Sequence, residues 1–175
     1  MYGYTLVYIY VIRSHLSQYI LYSAGKVVME KPRQAKRAKS THTPHKPSLW
    51  VAAEKGDEDS VHDLLTIGSP GDETYMGWTP LMKAAEENHT IIALQLLAHG
   101  ADLEAVNNTG RTALSFAAAP SGDRPVARET LAFLMAWGAN DGHRNHKSRT
   151  ALEQARKENR TEAIGIFKYF QMLVT

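Results

Sequence analysis

The 175-residue sequence contains no cysteine. That absence excludes disulfide frameworks, thiolate metal sites and cysteine nucleophiles, so nothing in the chain depends on an oxidising compartment. Long hydrophobic runs are also missing: the strongest, Leu6 to Ile12, is broken by Arg13, Ser14 and His15. The sequence has no glycine-rich phosphate loop, no Gly-x-Ser-x-Gly and no His-Glu-x-x-His, which leaves the common hydrolase and nucleotide-binding chemistries without a motif. What is present is ordinary: 43% hydrophobic and 22% charged residues, enough for a core and incompatible with a wholly disordered or collagen-like chain. The length predicts one domain with an extension.

The net charge of +2 is a cancellation. Residues 1–47 carry eight bases (Arg13, Lys26, Lys31, Arg33, Lys36, Arg37, Lys39 and Lys46) and one acid, Glu30, which makes this stretch +7 and residues 48–175 −5. Residues 1–29 form a leader holding six of the eight tyrosines. A membrane anchor over residues 4–23 has about the needed length, although an arginine within a span costs about 2.5–3.5 kcal/mol. The leader lacks the positive start of a secretory signal and the several arginines of a mitochondrial one. Met29 offers a second start, which makes an extension foreign to the working protein the competing reading. Residues 30–47 are basic and proline-containing, with only Ala35 and Ala38 as apolar residues, and are expected to be a disordered linker. Within it, Lys31, Arg33, Lys36, Arg37 and Lys39 form a cluster of the nuclear-localisation type. No aromatic is interleaved there, which argues against a nucleic-acid platform. The expected location is cytoplasm or nucleus, with membrane association if the leader is retained.

Residues 48–175 are repetitive. Gly77-Trp78-Thr79-Pro80-Leu81 recurs 33 residues later as Gly110-Arg111-Thr112-Ala113-Leu114, and Thr150-Ala151-Leu152 follows after a further 38, with Ser148 in place of the glycine. Gly68, Gly100 and Gly138 mark the same period. On these residues the region resembles the ankyrin-repeat family, whose signature is a 33-residue period carrying Thr-Pro-Leu. The resemblance implies an all-α solenoid of stacked helix-turn-helix units with projecting hairpin loops, in four repeats at about 48–76, 77–109, 110–147 and 148–175. The threonines are expected to cap first helices, with Pro80 at a first helical position. Val61, Leu64 and Leu65, Ile92, Leu96 and Leu97, and Leu131, Leu134 and Met135 are expected core stripes of second helices, closed by the left-handed glycines. Ala163, Ile164, Phe167 and Phe170 are expected to cover the last core face.

The sequence departs from the family pattern in two respects. The histidine after Thr-Pro-Leu is replaced by Met82, Ser115 and Glu153, which puts its bond between hairpins in doubt. The third repeat carries five extra residues within Pro120–Pro125. His143 and His146 lie beside Arg144 and Lys147, a poor setting for a cation that wants three or four ligands. Adjacent Glu86 and Glu87 read as a solvated face. No catalytic, cofactor or metal site is expected. The resemblance instead implies a non-enzymatic protein-protein interaction module, an adaptor or regulatory scaffold, with the anchored form as the alternative. Its partner is expected to be another protein rather than a small molecule or nucleic acid, and the chain itself a monomer. The implied contacts are Tyr75, Met76 and Trp78 at one tip, Asn108, Thr109 and Arg111 at the next, His146, Lys147 and Arg149 at the third, and Glu86 and Glu87 on the exposed first-helix face.

Overall fold

The computed structural model describes residues 48–174. The leader, the candidate anchor at 4–23 and the basic cluster at 31–39 lie outside the described residues. Eight helices occur among those described: α1 (Ser48–Lys55), α2 (Glu58–Thr66), α3 (Pro80–Glu86), α4 (Thr90–Ala98), α5 (Ala113–Ala118), α6 (Arg128–Ala136), α7 (Ala151–Lys157) and α8 (Thr161–Val174). They form four antiparallel pairs. First helices α1, α3, α5 and α7 stack in one layer, and second helices α2, α4, α6 and α8 in the other. Among the described residues no helix is long and apolar enough to cross a membrane. The projecting segments are loops, whose one strand-like pairing is the bridge between Tyr75 and Trp78.

The local chemistry accounts for each boundary. Thr79, Thr112 and Thr150 sit at N-caps and accept the N–H of Met82, Ser115 and Glu153. Pro80 occupies the start of α3, where its missing N–H is not needed. Ala84, Ala85, Ala117 and Ala118 are completely buried, so neighbouring first helices approach closely over side chains of minimal size. Val61, Leu65, Ile92, Leu96, Leu131 and Leu134 form the core between layers, while Leu64 and Met135 are only half-buried. After α4, Gly100 takes φ +86°, its N–H bonds Leu97 O, and the Ala101 N–H bonds Leu96 O. Gly68 and Gly138 repeat this Schellman geometry after α2 and α6.

The turn inside each pair needs one left-handed residue: Gly56 (φ 76°), Asn88 (φ 62°) and Asn159 (φ 56°). In the third pair the left-handed residue is Gly122 (φ 69°), displaced into the insertion. Pro120 forces Ala119 out of the helical region, to φ −143° and ψ 75°, so the short turn cannot form and residues 120–125 loop out. At the far end Ala163 and Phe167 are fully buried against the preceding pair, with Ile164 and Phe170 half-buried.

Candidate protein-interaction surface

The three loop tips are built in two ways. The first is one residue shorter than the others and is a two-residue turn: Tyr75 and Trp78 exchange two backbone hydrogen bonds of 2.9 Å, and both central residues, Met76 (φ 52°) and Gly77 (φ 81°), are left-handed. Met76 is thereby thrust outward, 76% exposed. The second and third tips are organised by buried asparagines. Asn107 Oδ1 accepts from Thr109 N, Thr109 Oγ1 and Arg111 N, and Asn145 Oδ1 accepts from Lys147 N and Arg149 N. Such self-bonding asparagines fix a loop without secondary structure. The sequence reading missed both, although each stands three residues before the Gly110 or Ser148 that ends the loop.

Adjacent tips are tied together. Asn108 Nδ2 donates to Met76 O at 3.4 Å, the His146 N–H to Thr109 O at 3.0 Å, and His143 Nε2 to Gly110 O at 2.9 Å. These bonds supply the connection between hairpins that was in doubt without the usual histidine. They also explain two glycines: a Cβ on Gly77 would meet Asn108 Oδ1 at 2.5 Å, and one on Gly110 would meet His146 Cδ2 at 2.6 Å. His143 is engaged in this ladder, and among the described residues no group of three or more metal-ligating side chains gathers.

The expected contact residues divide. Met76, Asn108, Thr109, His146 and Lys147 are exposed at the tips, and Arg149 is half-buried. Tyr75, Trp78 and Arg111 are half-buried and pack against neighbouring side chains. Tyr75 stacks on Trp50 of α1 at 5.3 Å between ring centroids, and Trp78 on Phe116 of α5 at 4.1 Å. The Arg111 guanidinium lies 3.9 Å over the Phe116 ring and donates to Ser115 O and Ala119 O. Large flat side chains at the base of a tip gain from burial against neighbouring rings. Burial also pushes the Arg111 pKa down, against the opposing charges of Glu158 and Glu86.

Glu86 and Glu87 require the largest correction. Glu86 is 3% exposed rather than solvated, and Lys83, one turn earlier, is also buried. Lys83 Nζ lies 2.9 Å from both Glu86 Oε2 and Glu87 Oε1, and 4.0 Å from Glu54 Oε1. Its ammonium sits 5.8 Å from the centroids of both Trp50 and Trp78. The loop at 120–125 closes the cluster: Arg124 contacts Glu86 at 3.3 Å and Glu87 at 3.1 Å, and the Ser121 N–H donates to Glu86 Oε1. Burial works against both ions, but Ser121 and Lys83 outweigh it and hold the Glu86 carboxyl below its ordinary range. Burial likewise opposes the Lys83 charge, and its hydrogen bonds to Glu87 and Glu86 raise its pKa nonetheless. The sequence reading did not single out Lys83 or Arg124, because the insertion that supplies Arg124 follows no repeat rule.

Set beside known proteins, the chain matches a family model described as ankyrin repeats over residues 49–141, in three copies. No curated protein matches it.

Proposed function

We propose that this chain, which belongs to the ankyrin-repeat family, is a non-enzymatic adaptor or regulatory scaffold that grips a partner protein with its loop tips. Repeats of this family generally mediate protein-protein interaction, and the family is typically non-enzymatic. One observation carries the reading here: side chains of Met76, Asn108, Thr109, His146 and Lys147 are exposed on loops whose backbones are locked by Asn107, Asn145 and the inter-tip bonds. A preformed surface loses little ordering entropy on binding. Methionine is also among the residues enriched in interface cores. The exposed face of the first helices, the inner-helix face, contributes less than the resemblance implied, because Lys83 and Glu86 are buried there.

The test begins with affinity capture of a partner using the full chain. Met76→Ala combined with Lys147→Ala is then expected to weaken the purified complex at least tenfold, by about 1.4 kcal/mol or more, with an unchanged melting temperature. Unchanged affinity in that variant overturns the assignment of the tips.

A further inference from the structure

The insertion in the third repeat reaches beyond its own unit. On one side Ser121 and Arg124 hold Glu86 and Glu87 of the second repeat. On the other, Arg160 of the fourth repeat donates to Gly122 O and Arg124 O at 2.7 and 2.8 Å. Residues 121–125 are all exposed, and the anchors named here are polar. The Arg124 side chain is itself 45% exposed, although its partner Glu86 is buried beneath it. A segment held in this way can lift without unpacking the core.

Lifting it would leave a defined electrostatic vacancy. Glu86 would lose the Ser121 N–H and the Arg124 guanidinium, and Glu87 would lose Arg124. The Lys83 ammonium, 2.9 Å from each, would remain as the nearest cation facing two carboxylates. Two carboxylates sharing one ammonium accept another cation, and the planar fork of a guanidinium suits them better than a second ammonium does. The Trp78 ring centroid lies 5.8 Å from the Lys83 ammonium.

We propose that residues 121–125 are an autoinhibitory strap over the inner-helix face, and that Arg124 occupies the place of an arginine from a basic segment of a partner protein. The proposal rests on the protein-binding reading and adds to it a gated second contact surface with a stated chemistry. Closure lowers apparent affinity by the fraction of molecules that are open, so a strap closed in about nine molecules of ten weakens binding about tenfold.

The test uses the full chain and a fluorescent tetra-arginine peptide, followed by anisotropy. Arg124→Ala removes the internal occupant, and Arg160→Ala frees the opposite end without touching the carboxylates. Each is expected to bind the peptide about tenfold more tightly than the unaltered chain. Adding Glu86→Gln and Glu87→Gln to either should abolish the gain. Unchanged affinity in both single variants overturns the proposal, as does a gain that survives loss of the two carboxylates, since that gain would be nonspecific. If Arg124→Ala fails to fold, Arg160→Ala decides alone. The peptide assay addresses the inner face and the captured partner addresses the tips, so failure of one reading is distinguishable from failure of the other.

Discussion

Asn88 shows how much one side chain does in this array. Its backbone takes the left-handed conformation that turns α3 into α4, at φ 62°. Its side chain reaches into the next repeat, where the N-cap of α6 is Ala127, a residue whose side chain cannot cap. Asn88 Oδ1 accepts from Thr130 N at 3.3 Å and Thr130 Oγ1 at 3.2 Å, while Nδ2 donates to Glu129 Oε2 at 2.7 Å. The cap of α6 is thus supplied from the preceding unit. Asn88→Gly keeps the turn and deletes the cap, with an expected loss of about 1 kcal/mol. Asn88→Ala adds the left-handed strain of a β-carbon, about 1–2 kcal/mol more. Urea unfolding of the pair separates the two effects, and equal losses would show that the backbone conformation costs alanine nothing. In both variants the Glu129 carboxyl, held low chiefly by the Asn88 hydrogen bond, should titrate nearer its ordinary value of 4.5.

The helices themselves differ in how openly the sequence announces them. Thr79-Pro80, Thr112 and Thr150 mark three starts and Gly68, Gly100 and Gly138 mark three ends, because caps act over a few residues and repeat with the unit. The alanine pairs and leucine stripes were legible for the same reason. The end of α5 was not. It stops after six residues because Pro120 excludes a helical Ala119, and the Arg111 guanidinium folds back to donate to the carbonyls of Ser115 and Ala119. Sequence position put Arg111 at a tip, whereas its length and flat guanidinium let it fold back over Phe116. Glu86 was misjudged similarly: its partners Ser121 and Arg124 are distant in sequence and belong to a non-repeating insertion. Arg111→Ala is accordingly expected to lower stability by about 1.5–3 kcal/mol. Arg111→Lys should recover little, since an ammonium neither stacks nor forks in the same way. Affinity per folded molecule should stay near that of the unaltered chain; a large loss of affinity at unchanged stability would restore Arg111 to the contact surface.

Across the whole molecule, a solenoid gains its cooperativity from interfaces between repeats, and here carboxylates reach across several of those interfaces. Glu86 joins the second repeat to the insertion of the third, Glu129 joins the third to Asn88 of the second, and Glu153 joins the fourth to Arg144 of the third. Glu86 is held below its ordinary range by Ser121 and Lys83 in spite of burial, Glu129 by Asn88, and Glu153 by the Thr150 N–H and Arg144. A carboxyl whose folded pKa is depressed binds fewer protons than in the unfolded chain, so its contribution is present above the ordinary value of 4.5 and is lost as pH falls through the folded value. Lys83 has the opposite sign: its raised pKa adds stability below 10.5 that disappears as pH rises through the folded value. The urea midpoint is therefore expected to fall on acidification from pH 6 to pH 3. Because several of the lost interactions lie between units, acid should also separate, in a Trp137→Phe background, the transition of fluorescence from Trp50 and Trp78, in the first two repeats, from the helical signal of the whole array. Glu86→Gln combined with Glu129→Gln should flatten that pH dependence. Coincident transitions and an unchanged midpoint at pH 3 would show that apolar packing alone couples the repeats.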